Sequence, residues 1–251
     1  MLSSYKVKIV ILAGGKGTRM QHDLPKVLIP LQSKPMIQYL LRSVEQSAIC
    51  EKPCIVIGYA RELVKKELGD KYYYAVQEEQ LGTGHAVLCA EKYIKDADSV
   101  LVLYGDNPYI TPETIQKLAQ KHSESKNKIT MATVQLPDFK DWRAFFYKNF
   151  SRIIRDKNGK ILKSTEFRDA SDEEKKVTEV NPCYFCFNAK WLLKELKALK
   201  NNNVQKEYYL TDLVKIAIQK KENIESIIIN PNEALAINSK DELELVERIM
   251  M

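Results

Sequence analysis

Residues Val7–Lys26 read VKIVILAGGKGTRMQHDLPK, and the fold turns on how this stretch is read. It opens with Val7-Lys8-Ile9-Val10-Ile11-Leu12, a nearly unbroken apolar run rich in β-branched side chains. That is the composition of a strand covered on both faces in a parallel sheet. The run breaks abruptly into Ala13-Gly14-Gly15-Lys16-Gly17-Thr18-Arg19-Met20. Glycines in this spacing allow a sharp turn and let backbone N–H groups approach an anion. Arg19 follows at once, and Lys26 comes directly after Pro25. A buried strand, a glycine loop and two nearby cations make a place to hold a polyphosphate. A glycine turn with no ligand is the competing reading of this stretch taken alone.

Two other glycine motifs fit badly. The dinucleotide fingerprint G-x-G-x-x-G/A would use Gly15 and Gly17, but its third position is Met20. It also asks for an acidic residue after the next strand, and Cys54-Ile55-Val56-Ile57 ends in Gly58-Tyr59. The P-loop places Gly-Lys before Ser or Thr, whereas Lys16 here precedes Gly17-Thr18.

The 251 residues suit one large α/β domain, residues 1–251. Hydrophobic residues make up 45% and charged residues 29%, an ordinary globular balance. The 39 Lys and Arg exceed the 33 Asp and Glu by +6, spread along the chain without a basic block. This argues against a nucleic-acid partner and suits anionic small-molecule substrates. No stretch approaches the roughly 18 apolar residues of a membrane span. Met1–Lys6 has no signal-peptide form, so a cytoplasmic location is expected. Five cysteines, an odd number, read as reduced thiols. Cys183 and Cys186 have C-x-x-C spacing, but in a strand such residues face opposite ways, so buried core cysteine is expected and not zinc.

Outward from the glycine loop, Met36, Ile37, Leu40, Leu41 and Val44 have helical spacing. The strand Cys54–Ile57, a helix over Arg61–Leu68 and a strand at Tyr73–Gln77 follow, and this alternation predicts a doubly wound sheet. Gln77-Glu78-Glu79-Gln80-Leu81-Gly82-Thr83-Gly84-His85-Ala86 then opens a helix expected to run to Tyr93. The Gln77 carboxamide could read a base edge, or the stretch could be a solvated, glycine-rich cap. Val100-Leu101-Val102-Leu103-Tyr104 is a second fully apolar strand, ending in Gly105-Asp106-Asn107-Pro108. An Asp at the carboxyl end of a buried parallel strand sits where open α/β sheets place ligands. Beside a polyphosphate it suits a Mg²⁺ ligand; the alternative is a plain turn. Thr111-Pro112 caps a helix that packs His122 on its inner face. From Pro137 to Lys176 the chain is polar, irregular and aromatic, with a hairpin turn at Asp156–Lys160, and reads as antiparallel excursions over the substrate edge. Val177–Phe187 reads as one long strand in which Pro182 argues for an edge or a bulge, helices follow at Ala189–Leu199 and Tyr208–Lys221, and a strand at Ile227–Ile229. Ser239 with Glu242 forms a capping box for the last helix, leaving Asn238 free to face a site.

Taken together, LAGGKGTRM (Leu12–Met20), DLPKVL (Asp23–Leu28), QLGTGHA (Gln80–Ala86), YGDNP (Tyr104–Pro108), Glu179-Val180-Asn181, NNNVQKEYYLTD (Asn201–Asp212) and Asn238 resemble the sugar-1-phosphate nucleotidyltransferases. The resemblance is strongest to the uridylyltransferase domains that make UDP-N-acetylglucosamine, and it runs from about Lys8 to Leu245. It implies a Rossmann-like nucleotidyltransferase fold and a Mg²⁺-dependent reaction. A sugar 1-phosphate attacks the α-phosphorus of UTP and releases pyrophosphate. By the same resemblance Arg19 and Lys26 are catalytic, stabilising charge on phosphate oxygens. Leu12, Ala13, Gly14, Gly15, Gly17, Gln77, Gly82 and Thr83 would bind the nucleotide. Asp106, Ser151, Glu166 and Asn181 would bind the sugar phosphate, and Asp106 with Asn238 would hold Mg²⁺. Residues up to about 135 would by this resemblance form a nucleotide- and metal-binding half, and 136–251 a sugar-binding half with the C-terminal helices.

Three positions depart from the family pattern, all on the acceptor side. Ser151 and Lys206 each stand where the family has Gly, and Pro182-Cys183 stands where it has Thr-Gly. The sequence also holds no hexapeptide repeat, so the acetyl transfer of bifunctional relatives is not expected. The preferred reading is uridylyl transfer to N-acetylglucosamine 1-phosphate by a monomer or weak homo-oligomer. The alternatives are another sugar 1-phosphate, a phosphorylated alcohol or another base, a catalytically silent nucleotide-sugar-binding domain, and last a dehydrogenase.

Overall fold

In β1 (Val7–Ala13), Ile9 and Ile11 enter one hydrophobic cluster and Val10 the other, so the strand is buried on both faces as its composition demands. The computed structural model describes residues 5–125, 127–203 and 205–250. Met1–Ser4, on which the reading of the N-terminus rests, and Val204 of the NNNVQKEYYLTD block lie outside the described residues. After β1 come 3₁₀ turns at Thr18–Met20 and Lys26–Leu28 and a small antiparallel pair, β2 (Pro30–Leu31) and β3 (Lys34–Pro35). The chain continues through α1 (Met36–Ser47), β4 (Cys54–Ile57), α2 (Arg61–Leu68), β5 (Tyr73–Val76), α3 (Thr83–Cys89), α4 (Glu91–Ile94) and β6 (Ser99–Tyr104). Then follow α5 (Pro112–Ser123), β7 (Ile129–Gln135), α6 (Phe145–Asn149), β8 (Ser151–Arg155), β9 (Ile161–Thr165) and α7 (Asp172–Lys175). The last elements are β10 (Glu179–Asn181), β11 (Phe185–Asn188), α8 (Ala189–Ala198), α9 (Asp212–Gln219), β12 (Ile224–Ile228) and α10 (Lys240–Met250).

The ten strands other than β2 and β3 form one sheet in the order β5-β4-β1-β6-β11-β7-β10-β8-β9, with β12 pairing along β7. β5, β4, β1 and β6 are parallel, and β12 is parallel to β7. Only β11 in this central set runs the other way, antiparallel to both β6 and β7. β10, β8 and β9 extend the sheet as an antiparallel excursion. The architecture is therefore the expected α/β fold with a mostly parallel central sheet.

Four elements differ from the sequence reading. The helix expected through Tyr93 breaks at Ala90 into α3 and α4. The helix expected from Tyr208 begins only at Asp212. The single strand expected over Val177–Phe187 is two: Pro182 has no N–H to give a ladder, and Cys183 turns the chain at φ 66. That break lets the chain leave β8 after Asn181 and enter beside β6 at Phe185. Finally, Trp142–Tyr147 is helical, in a 3₁₀ turn (Asp141–Ala144) and α6, although the hairpin at Asp156–Lys160 forms as read.

A buried arginine organises that excursion. Arg152, on β8, is fully buried and donates to the carbonyls of Phe150 (2.7 Å), Tyr147 (2.5 Å) and Lys175 (3.3 Å). Its guanidinium lies 4.7 Å from the Phe139 ring centroid, 5.3 Å from Phe167 and 5.5 Å from Tyr147. The C-terminal ends of α6 and α7 are thereby tied to one cation on β8.

Candidate functional site

The site is built at the carboxyl ends of β1 and β6, which are neighbours in the sheet with Leu12 opposite Tyr104. The register places the glycine loop after β1 beside the Gly105–Asp106 turn after β6, and Gly105 N–H donates to the Leu12 carbonyl at 2.9 Å. The two ligand-type motifs of the sequence are thus adjacent because their strands are.

The first cavity, of about 220 Å³, is lined by the predicted nucleotide-binding residues Leu12, Ala13, Gly14, Gly15, Gln77, Gly82 and Thr83, together with Lys26 and Asp106. Gly17 is not in the cavity wall. It adopts φ 70, and a Cβ there would come within 2.5 Å of the Lys26 Cβ, so the loop folds down onto the lysine stem. Gly82 at φ 100 has the same kind of role against Tyr208, whose backbone a Cβ would meet at 2.8 Å. Tyr208 N–H donates to the Leu81 carbonyl, Gly84 N–H to the Tyr208 carbonyl, and Leu210 N–H to the Thr83 hydroxyl at 2.9 Å. These bonds lock QLGTGHA against the YYLTD segment. The buried Gln77 carboxamide donates to the Gly82 carbonyl at 3.0 Å and lies 3.2 Å from His85 Nδ1, so its oxygen is the atom left for a ligand. Arg19 is exposed on its 3₁₀ turn and does not line this cavity.

The Lys26 ammonium contacts the Asp106 carboxylate and donates to Asn238 Oδ1 at 2.6 Å. Asn238 is held there from both sides. Its N–H donates to the Glu242 carboxylate at 2.6 Å, and the N–H of Ile237 donates to the Asp106 carbonyl at 2.9 Å. The capping box expected of Ser239 and Glu242 is therefore split. The Ser239 hydroxyl accepts from Glu242 N–H at 3.3 Å, as a cap should, but the Glu242 carboxylate reaches one residue further back and holds Asn238. Two hard oxygen donors, Asp106 and Asn238, converge on one cation. This donor set fits Mg²⁺, which takes one or two such groups and completes its shell with phosphate oxygens and water. Among the described residues, no three His, Cys, Asp or Glu side chains gather into a metal-holding cluster.

The second cavity, of about 190 Å³, shares Tyr104 and Asp106 with the first. It brings together Ser151, Glu166, Asn181 and Asn238, residues far apart in the sequence. Asn181 is 1% exposed; its Oδ1 accepts from Cys183 N–H at 2.8 Å, and its Nδ2 has no partner. A buried amide donor without a partner is costly unless a ligand supplies one. Burial first, then the neighbouring Asp169 and Asp212 carboxylates, push the Glu166 carboxyl above its ordinary range, while the Ser151 and Thr211 hydroxyls pull it back.

Sequence reasoning passed over several wall residues. Gln80, Tyr104 and Glu207 line the first cavity, and Phe145 and Asn149 the second. Gln80, Tyr104 and Glu207 lie inside the quoted motifs and could have been found there. Cys183 is a correction: it is half-buried in the cavity wall, whereas Cys186 is the core cysteine expected of both.

Comparison with known proteins identifies the family and the fold. The family described as MobA-like NTP transferase domain matches residues 9–213. The bifunctional protein GlmU of Acetivibrio thermocellus is 41% identical over 245 residues, covering 96% of this chain and 51% of that protein. GlmU of Clostridioides difficile is 39% identical over 244 residues, with 97% and 51% covered. The chain thus spans about half the length of these curated relatives. In fold, it is similar to a Bacillus anthracis structure described as a putative glucose-1-phosphate thymidylyltransferase (TM-score 0.77, 19% identity, 97% of this chain and 94% of that one). It is also similar to CMP:2-keto-3-deoxy-manno-octonic acid synthetase complexed with CTP (TM-score 0.72, 17% identity, 98% of each chain). On the match that covers most of its length, the chain belongs to the MobA-like NTP transferase domain family of nucleotidyltransferases.

Proposed function

We propose that the protein transfers a uridylyl group from UTP to a sugar 1-phosphate, with N-acetylglucosamine 1-phosphate the preferred acceptor. One observation carries this reading: Asp106, facing Lys26 and Asn238, lies in the wall common to both cavities. A nucleotide in the first and a sugar phosphate in the second would meet there. We further read the chain as one nucleotidyltransferase domain, which the single continuous sheet supports.

In this account Gln77, Gly82 and Thr83 hold the base, and the loop from Leu12 to Gly15 approaches the nucleotide. Glu166 and Asn181 take sugar hydroxyls, with the unpartnered Asn181 Nδ2 as donor. An oxygen of the sugar phosphate attacks the α-phosphorus, the bond to the β-phosphate oxygen breaks, and pyrophosphate leaves with the electron pair. Lys26 neutralises phosphate oxygens and aligns two anions that otherwise repel. Arg19, exposed at the mouth of the glycine loop, takes the outgoing pyrophosphate. Asp106 and Asn238 would hold Mg²⁺, which when bound spreads the charge of the phosphates.

The resemblance to uridylyltransferase domains that make UDP-N-acetylglucosamine, together with about 40% identity to two GlmU proteins, supports N-acetylglucosamine 1-phosphate as the acceptor. A different acceptor is the second reading, favoured by Pro182 and Cys183 in the wall of the second cavity. A pyrophosphate-release assay crossing nucleoside triphosphates with sugar 1-phosphates separates them. The account predicts turnover with UTP and N-acetylglucosamine 1-phosphate. Turnover with another acceptor alone would move the specificity, and silence across the panel would favour a binding domain.

A further inference from the structure

We infer that Cys183 is a specificity-determining residue of the second cavity, setting the size of acceptor that the site admits. This deepens the reading of that cavity as the acceptor site and rests on it. Eight non-glycine residues among those described have positive φ, and Cys183, at φ 66, is the one that lines either of the two adjoining cavities. Backbone held in this region by a side chain that disfavours it clusters at ligand clamps. Its thiol is placed among charged and polar groups that a ligand would use. Desolvation holds it above the ordinary thiol range, and the Glu166 and Asp106 carboxylates add to that effect. It is therefore a neutral, weakly hydrogen-bonding group in the wall that also holds Glu166 and Asp106, and its Sγ lies 3.9 Å from the Asn181 carbonyl oxygen.

A second observation at the same place points to a ligand. Asn181, two residues away, spends its Oδ1 on Cys183 N–H and leaves a buried Nδ2 unpartnered in the same wall. The turn that carries Cys183 thus presents one amide donor and one thiol to the occupant. In a cavity of about 190 Å³ the thiol occupies room that a ring substituent would need. Small differences of fit in such a pocket change kcat/KM by about tenfold or more.

The test compares wild type with Cys183→Gly and Cys183→Ala, using UTP with a hexose 1-phosphate and an N-acetylhexosamine 1-phosphate. Cys183→Gly should shift the kcat/KM ratio toward the bulkier acceptor by about tenfold, with Cys183→Ala between. The KM for UTP should stay unchanged, and the melting temperature should rise as the glycine relieves the backbone. An unchanged acceptor ratio overturns the inference. If wild type turns over neither acceptor, the uridylyltransferase reading fails separately. Cys183 is then tested by thermal shift with the two sugar phosphates, and equal shifts in wild type and Cys183→Gly overturn the inference.

Discussion

Lys26, Asp106 and Asn238 meet at one point although 80 residues separate the first two and 212 separate Lys26 from Asn238. Each was legible in the sequence as a residue type at a motif's end. Their convergence on one ammonium was not, because it follows from strand order and from the Ile237 bond to Asp106. Lys26→Met should lower turnover by about 10²–10³-fold, as loss of a preorganised oxyanion contact does, with little change in fold; steady-state kinetics alongside circular dichroism check both. His122 gives a prediction of a different kind. Its imidazole is buried, 2.9 Å from the Thr130 hydroxyl, and burial lowers its pKa from 6.5 to about 4. The folded state then binds fewer protons than the unfolded state between those values. Stability is full above pH 6.5 and falls as pH drops toward 4, by about 3 kcal/mol in all. Urea midpoints at pH 7 and pH 4.5 should show the loss, and His122→Gln should reduce it.

At the scale of elements, long apolar runs such as β1 and β6 were legible because burial on both faces leaves no alternation to misread. The excursion was harder. Of its aromatic residues, Phe139, Tyr147 and Phe167 surround Arg152 while Phe145, Phe146 and Phe150 join the core, and a buried cation bonded to carbonyls has no periodic signature. Arg152→Leu should cost about 3 kcal/mol or more, since three carbonyls lose their donor; a denaturation midpoint well below wild type would bear this out. The glycine departures were legible as substitutions but not as conformations. Lys206, exposed, keeps φ 54 despite its side chain. The left-handed region costs a side-chain-bearing residue about 1–2 kcal/mol, while glycine's extra unfolded-state freedom returns part of this. Lys206→Gly should therefore stabilise the protein by about 0.5–1 kcal/mol. Thermal unfolding at or below the wild-type midpoint would contradict that assignment.

For the whole molecule, one sheet carries two cavities, and their common wall is Asp106 with Tyr104. The sequence named residues of each cavity in chain order, but only the fold shows that Asp106 belongs to both. No helix of the described residues is long and apolar enough to cross a membrane. The central claim is that nucleotide and acceptor meet at Asp106. Phosphorus NMR of UTP, N-acetylglucosamine 1-phosphate and Mg²⁺ with wild type and Asp106→Asn tests it most directly. The account predicts pyrophosphate and nucleotide-sugar diphosphate signals with wild type, and a loss of about 10²-fold or more in their rate with a folded Asp106→Asn. Equal rates from the two proteins would contradict it.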